Sequence, residues 1–180
     1  MSSEKIILIM MLGISLFMVV ISGCTTLEGD YENSILSFKI PENWTVDNSN
    51  TSDALVSLKS VISGDTLIYI QSSDVEPAEI IEGYISNYPV EYPRFEVLKR
   101  EPVQVNGRQG EKLVYKNSAT NDYLLVGPDY VSSVVVFSKD NKTYIVSSSE
   151  VLVDAYYSHV EPAMNVVVGS LRIKGNLMGS

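Results

Sequence analysis

The 180-residue chain has one cysteine, one histidine and one tryptophan, and only 13 basic side chains against 22 acidic ones. A single cysteine excludes an internal disulfide framework. His159 and Cys24 together cannot supply the three or four nitrogen and sulfur ligands of a zinc site. No serine sits in a G-x-S-x-G turn, so a hydrolase would have to be built around His159, which reads as a solvated or satisfied structural side chain at the entry to the last helix. Gly107 and Gly110 lie in a hairpin and open no helix, which removes a phosphate-cradling loop. A net charge of −9 argues against nucleic acid, whose phosphates need Lys and Arg, and against a polybasic membrane patch. No pair of carboxylates is marked by its surroundings for glycosidase work. The reading is therefore a non-catalytic binding or accessory module without a cofactor. A small-solute binder is the alternative and a hydrolase the third.

What is present at the start is an apolar run. From Ile6 to Ile21 only Gly13 and Ser15 interrupt it, a length that suits a signal-peptide core and is short for a membrane-crossing helix. Ile21-Ser22-Gly23-Cys24 follows at once and resembles the lipobox of bacterial and archaeal lipoproteins. The resemblance implies cleavage after residue 23, a lipid on Cys24, and a domain at the cell surface, on the outer face of the cytoplasmic membrane. An uncleaved helix with Cys24 as an ordinary thiol is the other reading. Residues 24–34 then form the lipidated N-terminus and a tether, 35–174 one domain and 175–180 a tail.

Within the domain, Leu36, Phe38 and Ile40 alternate with polar residues up to Pro41, and Trp44 and Val46 continue the apolar face. Val56 and Leu58 belong to a second strand and Thr66–Ile70 to a central one. Pro77 opens a helix whose Ile80, Ile81, Tyr84, Ile85 and Tyr88 share a face, with Pro89 and Pro93 as its stop. Asn106-Gly107 joins two long strands as a two-residue hairpin. Tyr123–Val126, Val131–Ser138 and Thr143–Ser148 add strands, the last two joined across Lys139–Lys142. A closing helix carries Pro162 in its first turn and Met164, Val167, Val168 and Leu171 on one face. The fold class is α+β, an antiparallel sheet flanked by helices.

Ser37-Phe38-Lys39-Ile40-Pro41-Glu42-Asn43-Trp44, the order of elements after it, and a final helix ending in Ser170-Leu171-Arg172-Ile173 resemble the PsbP family over roughly residues 31–174. The resemblance implies an α/β/α sandwich. It also implies a docking role without catalysis, since the photosystem II extrinsic subunit and a Ran-binding nuclear factor both dock to another macromolecule. The photosynthetic subunit works through a long N-terminal extension. Here a lipid anchor and a short tether take that place, so photosynthetic function is not implied.

Three sets of residues are singled out beyond Cys24. Tyr84, Tyr88, Tyr92 and Phe95, interleaved with Pro89 and Pro93, form a stiff aromatic segment that suits a protein interface, against the plainer reading that the rings cover the helix. Asp47, Ser49, Thr51 and Asp53 place an oxygen at every second residue, as calcium loops do. The pattern lacks the central glycine and closing glutamate of such a loop, so Asp47 and Asp53 are weak metal candidates in a solvated segment. Asn43, Asn50 and Asn141 head N-glycosylation sequons, with burial of Trp44 counting against Asn43.

Overall fold

The computed structural model describes residues 29–49, 53–92, 94–118 and 127–175. Seven strands make the continuous path of the main antiparallel sheet, in the order β3 (Trp44–Asp47), β4 (Val56–Ser60), β5 (Leu67–Ser73), β9 (Lys142–Ser148), β8 (Asp129–Lys139), β7 (Arg108–Ser118) and β6 (Glu96–Val105). A two-residue strand, β10 (Val151–Leu152), pairs with the start of β8. A smaller sheet joins β1 (Asp30–Glu32), β2 (Leu36–Lys39) and β11 (Arg172–Ile173).

The two-residue period of the strands splits the core into two layers. On one face Val114, Val131, Val135, Phe137 and Val146 pack under the C-terminal helical run and the small sheet, against Leu36, Phe38, Met164 and Val167. That run comprises α2 (Val153–Ala155), a π turn (Tyr156–Val160) and α3 (Glu161–Ser170). On the other face the alternate residues Leu113, Tyr115, Val134 and Val136 pack under α1 (Pro77–Glu91) through Ile81. Helices therefore cover both faces of the sheet, an α/β/α sandwich. Each is tied down by a cross-layer polar contact. Lys112, buried in β7, sets its Nζ 3.2 Å from Glu161 Oε1 in the first turn of α3. Arg100 of β6 reaches Glu82 of α1 at 2.8 Å and also pairs with Glu111. Those two carboxylates, Glu111 first, hold the Arg100 guanidinium above its ordinary pKa.

Both long hairpins close on two residues in the left-handed region. Asn106 and Gly107 have φ of 50° and 74°, and Asp140 and Asn141 have 52° and 59°, as type I′ turns require. Val105 faces Arg108 and Lys139 faces Lys142 across them. Gly107→Val is expected to cost about 1–3 kcal/mol, because a β-branched residue resists positive φ. A thermal melt checks this, and an unchanged midpoint would show that the turn conformation carries no strain penalty. Gly110 is needed for a different reason: a Cβ there would lie 2.7 Å from the Val136 carbonyl oxygen and 2.9 Å from Phe137 Cβ.

Three sequence expectations differ from the structure. The tether was expected to run through Ser34, yet Asp30–Glu32 pairs with Ser37–Lys39, so the folded part begins before Ile35. Pro89 lies inside α1 instead of stopping it. The ring costs one amide hydrogen bond, while Tyr84, Tyr88 and Tyr92, four residues apart, stack along the same flank and hold the last turn. Pro162 does occupy the first turn of α3, as expected, and the helical run leads into it from Val153 through the π turn, which bonds the Glu161 amide to the Tyr156 carbonyl just before a residue that has no amide hydrogen. Arg172 and Ile173 are not helical but pair with Ser37 and Leu36. The expected strand Tyr123–Val126 lies outside the described residues.

Candidate functional site

Two open clefts border α3 where the small sheet meets it. The first, about 660 Å³, has a floor of the buried Trp44, Pro41 and Ala163 and a rim that includes Gly29, Glu42, His159 and Pro162. The second, also about 660 Å³, runs between β1–β2 and the end of α3 past Glu32, Gly169 and Arg172. Asp30, Lys39 and Val166 line both, so the clefts join into one groove of mixed charge. Volumes of this size match ligand sites, and an open, mixed surface of this kind also suits a protein contact.

The chemistry at the groove is set by His159. Its ring stacks on the indole of Trp44, centroids 5.3 Å apart and planes 21° from parallel. Its Nε2 lies 2.7 Å from Ser60 Oγ, at the end of β4. Ser60 Oγ also accepts the amides of Ile62 and Ser63 at 3.2 and 3.1 Å, so its hydroxyl hydrogen is the one directed at Nε2. Ser60 is 1% exposed. Its oxygen is thus a structural cap for the following turn and is closed to a substrate carbonyl. The Ser–His contact, between residues 99 apart in sequence, could not be read from spacing; the sequence identified His159 as structural but gave it no partner.

The aromatic segment forms a second feature. Tyr88 is ringed by Tyr84, Tyr92, Phe95 and Tyr115 at centroid distances of 5.2–5.7 Å. Tyr115, on the sheet and 4% exposed, also meets Tyr84 and Phe95. Burial pushes the Tyr84 hydroxyl up to about 12, with Tyr88 adding to it, and raises that of Tyr115 further. The four residues expected at an interface are brought together, and they are half-buried against the sheet. Their first role is to fasten α1, and one flank of the stack faces outward.

Asp47 and Asp53 are not assembled into a cation site. The Asp47 carboxylate accepts the Ser49 hydroxyl at 2.7 Å and the Ser49 amide at 3.0 Å, which lowers its pKa. Asp53 is exposed, and among the described residues no three His, Cys, Asp or Glu side chains converge. Asn43 is half-buried with φ of 62°, and Asn141 is exposed at its hairpin tip. Asn50, Cys24 and Pro93 lie outside the described residues.

No family model and no curated protein sequence matches this chain. Among the solved structures similar to it, two cover most of the chain. Cyanobacterial PsbP (CyanoP) from Synechocystis superposes with a TM-score of 0.56 at 13% identity, over 86% of this chain and 99% of that one. LpqN, involved in cell envelope biogenesis of Mycobacterium tuberculosis, gives 0.57 at 13% identity, over 86% and 88%. At this identity the likeness establishes the fold, which is PsbP-like.

Proposed function

We propose that the protein is a non-catalytic docking module, held by a lipid on Cys24 at the outer face of the cytoplasmic membrane, that engages a protein partner there. The observation behind this reading is the placement of the groove. Gly29, the first described residue, lies on its rim, and five peptide steps separate it from Cys24. Fully extended, those steps span at most about 18 Å. A partner reached through the groove is therefore itself at the membrane. The PsbP-like fold, and a fold relative that serves envelope biogenesis in its own organism, agree with such a role. The size of the first cleft favours the second reading, capture of a small solute.

Val166 discriminates between surfaces, because it lines both clefts and is 41% exposed. A photo-crosslinker at position 166 in intact cells is expected to give a defined protein adduct, and Val166→Glu to weaken partner capture at least tenfold with the melting temperature unchanged. Adducts at the outward flank of Tyr92, and none at 166, would move the contact to the aromatic segment. Neither adduct, with a small molecule co-purifying, would replace docking by solute binding.

A further inference from the structure

We infer that the turn carrying Val61 and Ile62 is a membrane-contacting tip, resting on the lipid bilayer that holds the anchor; this builds on the anchored reading above. Val61 and Ile62 are 66% and 68% exposed. Two adjacent β-branched side chains standing out of a turn are an unusual surface, because a solvated turn gains nothing from them. The stretch Ser60–Gly64 contains no charged residue. For a chain of net charge −9, attraction to an anionic lipid surface is unavailable, so any contact with lipid must be apolar.

The turn stands at the end of the molecule where the tether arrives. The Ile40 amide bonds to the Gly29 carbonyl at 2.8 Å, and three residues on, the Val61 amide bonds to the Asn43 carbonyl at 2.8 Å. Strand pairing places further exposed apolar residues at the same end of the sheet: Leu152 beside the start of β8, Val97 and Leu98 at the start of β6, and Val90 at the close of α1. The opposite end carries the polar hairpin tips at Asn106 and Asp140. That end also carries the exposed carboxylates Asp65, Glu96 and Asp129, and the opposite end the exposed Val75, so what marks it is the pair Val61 and Ile62 on the side where Gly29 leaves at most about 18 Å of chain to the anchor.

The turn is also held rigid. Ser60 Oγ, fixed by His159, accepts two of its amides, and Ser63 Oγ bonds to Thr66 Oγ1 at 2.6 Å. The Ser60 amide bonds to the Thr66 carbonyl at 2.9 Å. Little conformational freedom remains to be lost on contact. The Ser60–His159 pair is thereby assigned a purpose, positioning the tip.

The test uses the full lipidated protein in vesicles of phosphatidylethanolamine and phosphatidylglycerol. Cys24 is the only native cysteine, so with its sulfur lipidated, Ile62→Cys accepts a single environment-sensitive fluorophore, and Asn141→Cys provides the label at the far end. The label at 62 is expected to shift to the blue and to be quenched by nitroxide lipids, while the label at 141 does neither. If the protein floats with the vesicles and the label at 62 stays water-like, the tip inference is overturned and the anchor stands. A shift seen only in native membranes would assign the turn to a protein partner and also overturn it. Mass spectrometry of the same preparation reads Cys24, and an unmodified cysteine there would remove the anchor and, with it, the tip.

Discussion

Tyr115→Ala is expected to destabilise the domain by about 3–5 kcal/mol, the range for losing a buried aromatic ring. Tyr115 is 4% exposed, and it is where the sheet meets Tyr84, Tyr88 and Phe95, all within 5.7 Å between centroids. Removing it leaves a ring-sized void under α1, and the surrounding rings cannot close it because three of them are attached to one rigid helix and the residues just after it. For a domain of this length the melting temperature should fall by about 10 °C or more. Tyr115→Phe supplies the control, keeping the ring contacts and removing only the hydroxyl. If alanine at 115 cost under about 1 kcal/mol, α1 would be held by something other than the aromatic cluster, and the stack from Tyr84 to Phe95 would be free to act purely as a contact surface.

Cys24→Ser is expected to remove the mature protein from the membrane fraction, either releasing the domain to the medium or leaving the precursor unprocessed. The expectation follows from the position of the only cysteine directly after Ile21-Ser22-Gly23 and the apolar run. Two acyl chains hold a protein stably where one does not, since each buried methylene contributes about 0.8 kcal/mol, so loss of the sulfur should change partition by orders of magnitude. Cell fractionation with mass spectrometry of the N-terminus measures it. Wild-type protein with residue 1 intact and Cys24 unmodified would establish the uncleaved-helix reading instead. The Val166 and Ile62 experiments then separate the groove from the tip, because the first reads partner contact and the second reads lipid contact.

Local chemistry carried much of the fold into the sequence. The Asn106-Gly107 hairpin was legible because only residues tolerant of positive φ suit a type I′ turn, and α1 was legible in its start and its face because Pro77 and the spacing of Ile80 to Tyr88 are local signals. The alternation of strands gave the α+β class. Where the expectation failed, a longer-range contact had outweighed a local rule: ring stacking carried α1 past Pro89, and pairing with β2 turned Arg172 and Ile173 from helix to strand. The aromatic segment illustrates the limit well. Its residues were identifiable by type, but whether a tyrosine faces a partner or its own sheet depends on Tyr115, which approaches only when β7 is placed beneath α1.

By itself the sequence determined the run of the main strands, the first helix and the hairpin turns, all of which depend on residues close together in the chain. Only the tertiary structure decided the rest. It joined Ser60 to His159, set Gly29 beside the groove and brought the exposed Val61 next to Asn43, on the side where Gly29 lies. Those are relations between residues far apart in sequence, and no periodicity records them, because they are fixed by how the two helical layers close on the two faces of the sheet.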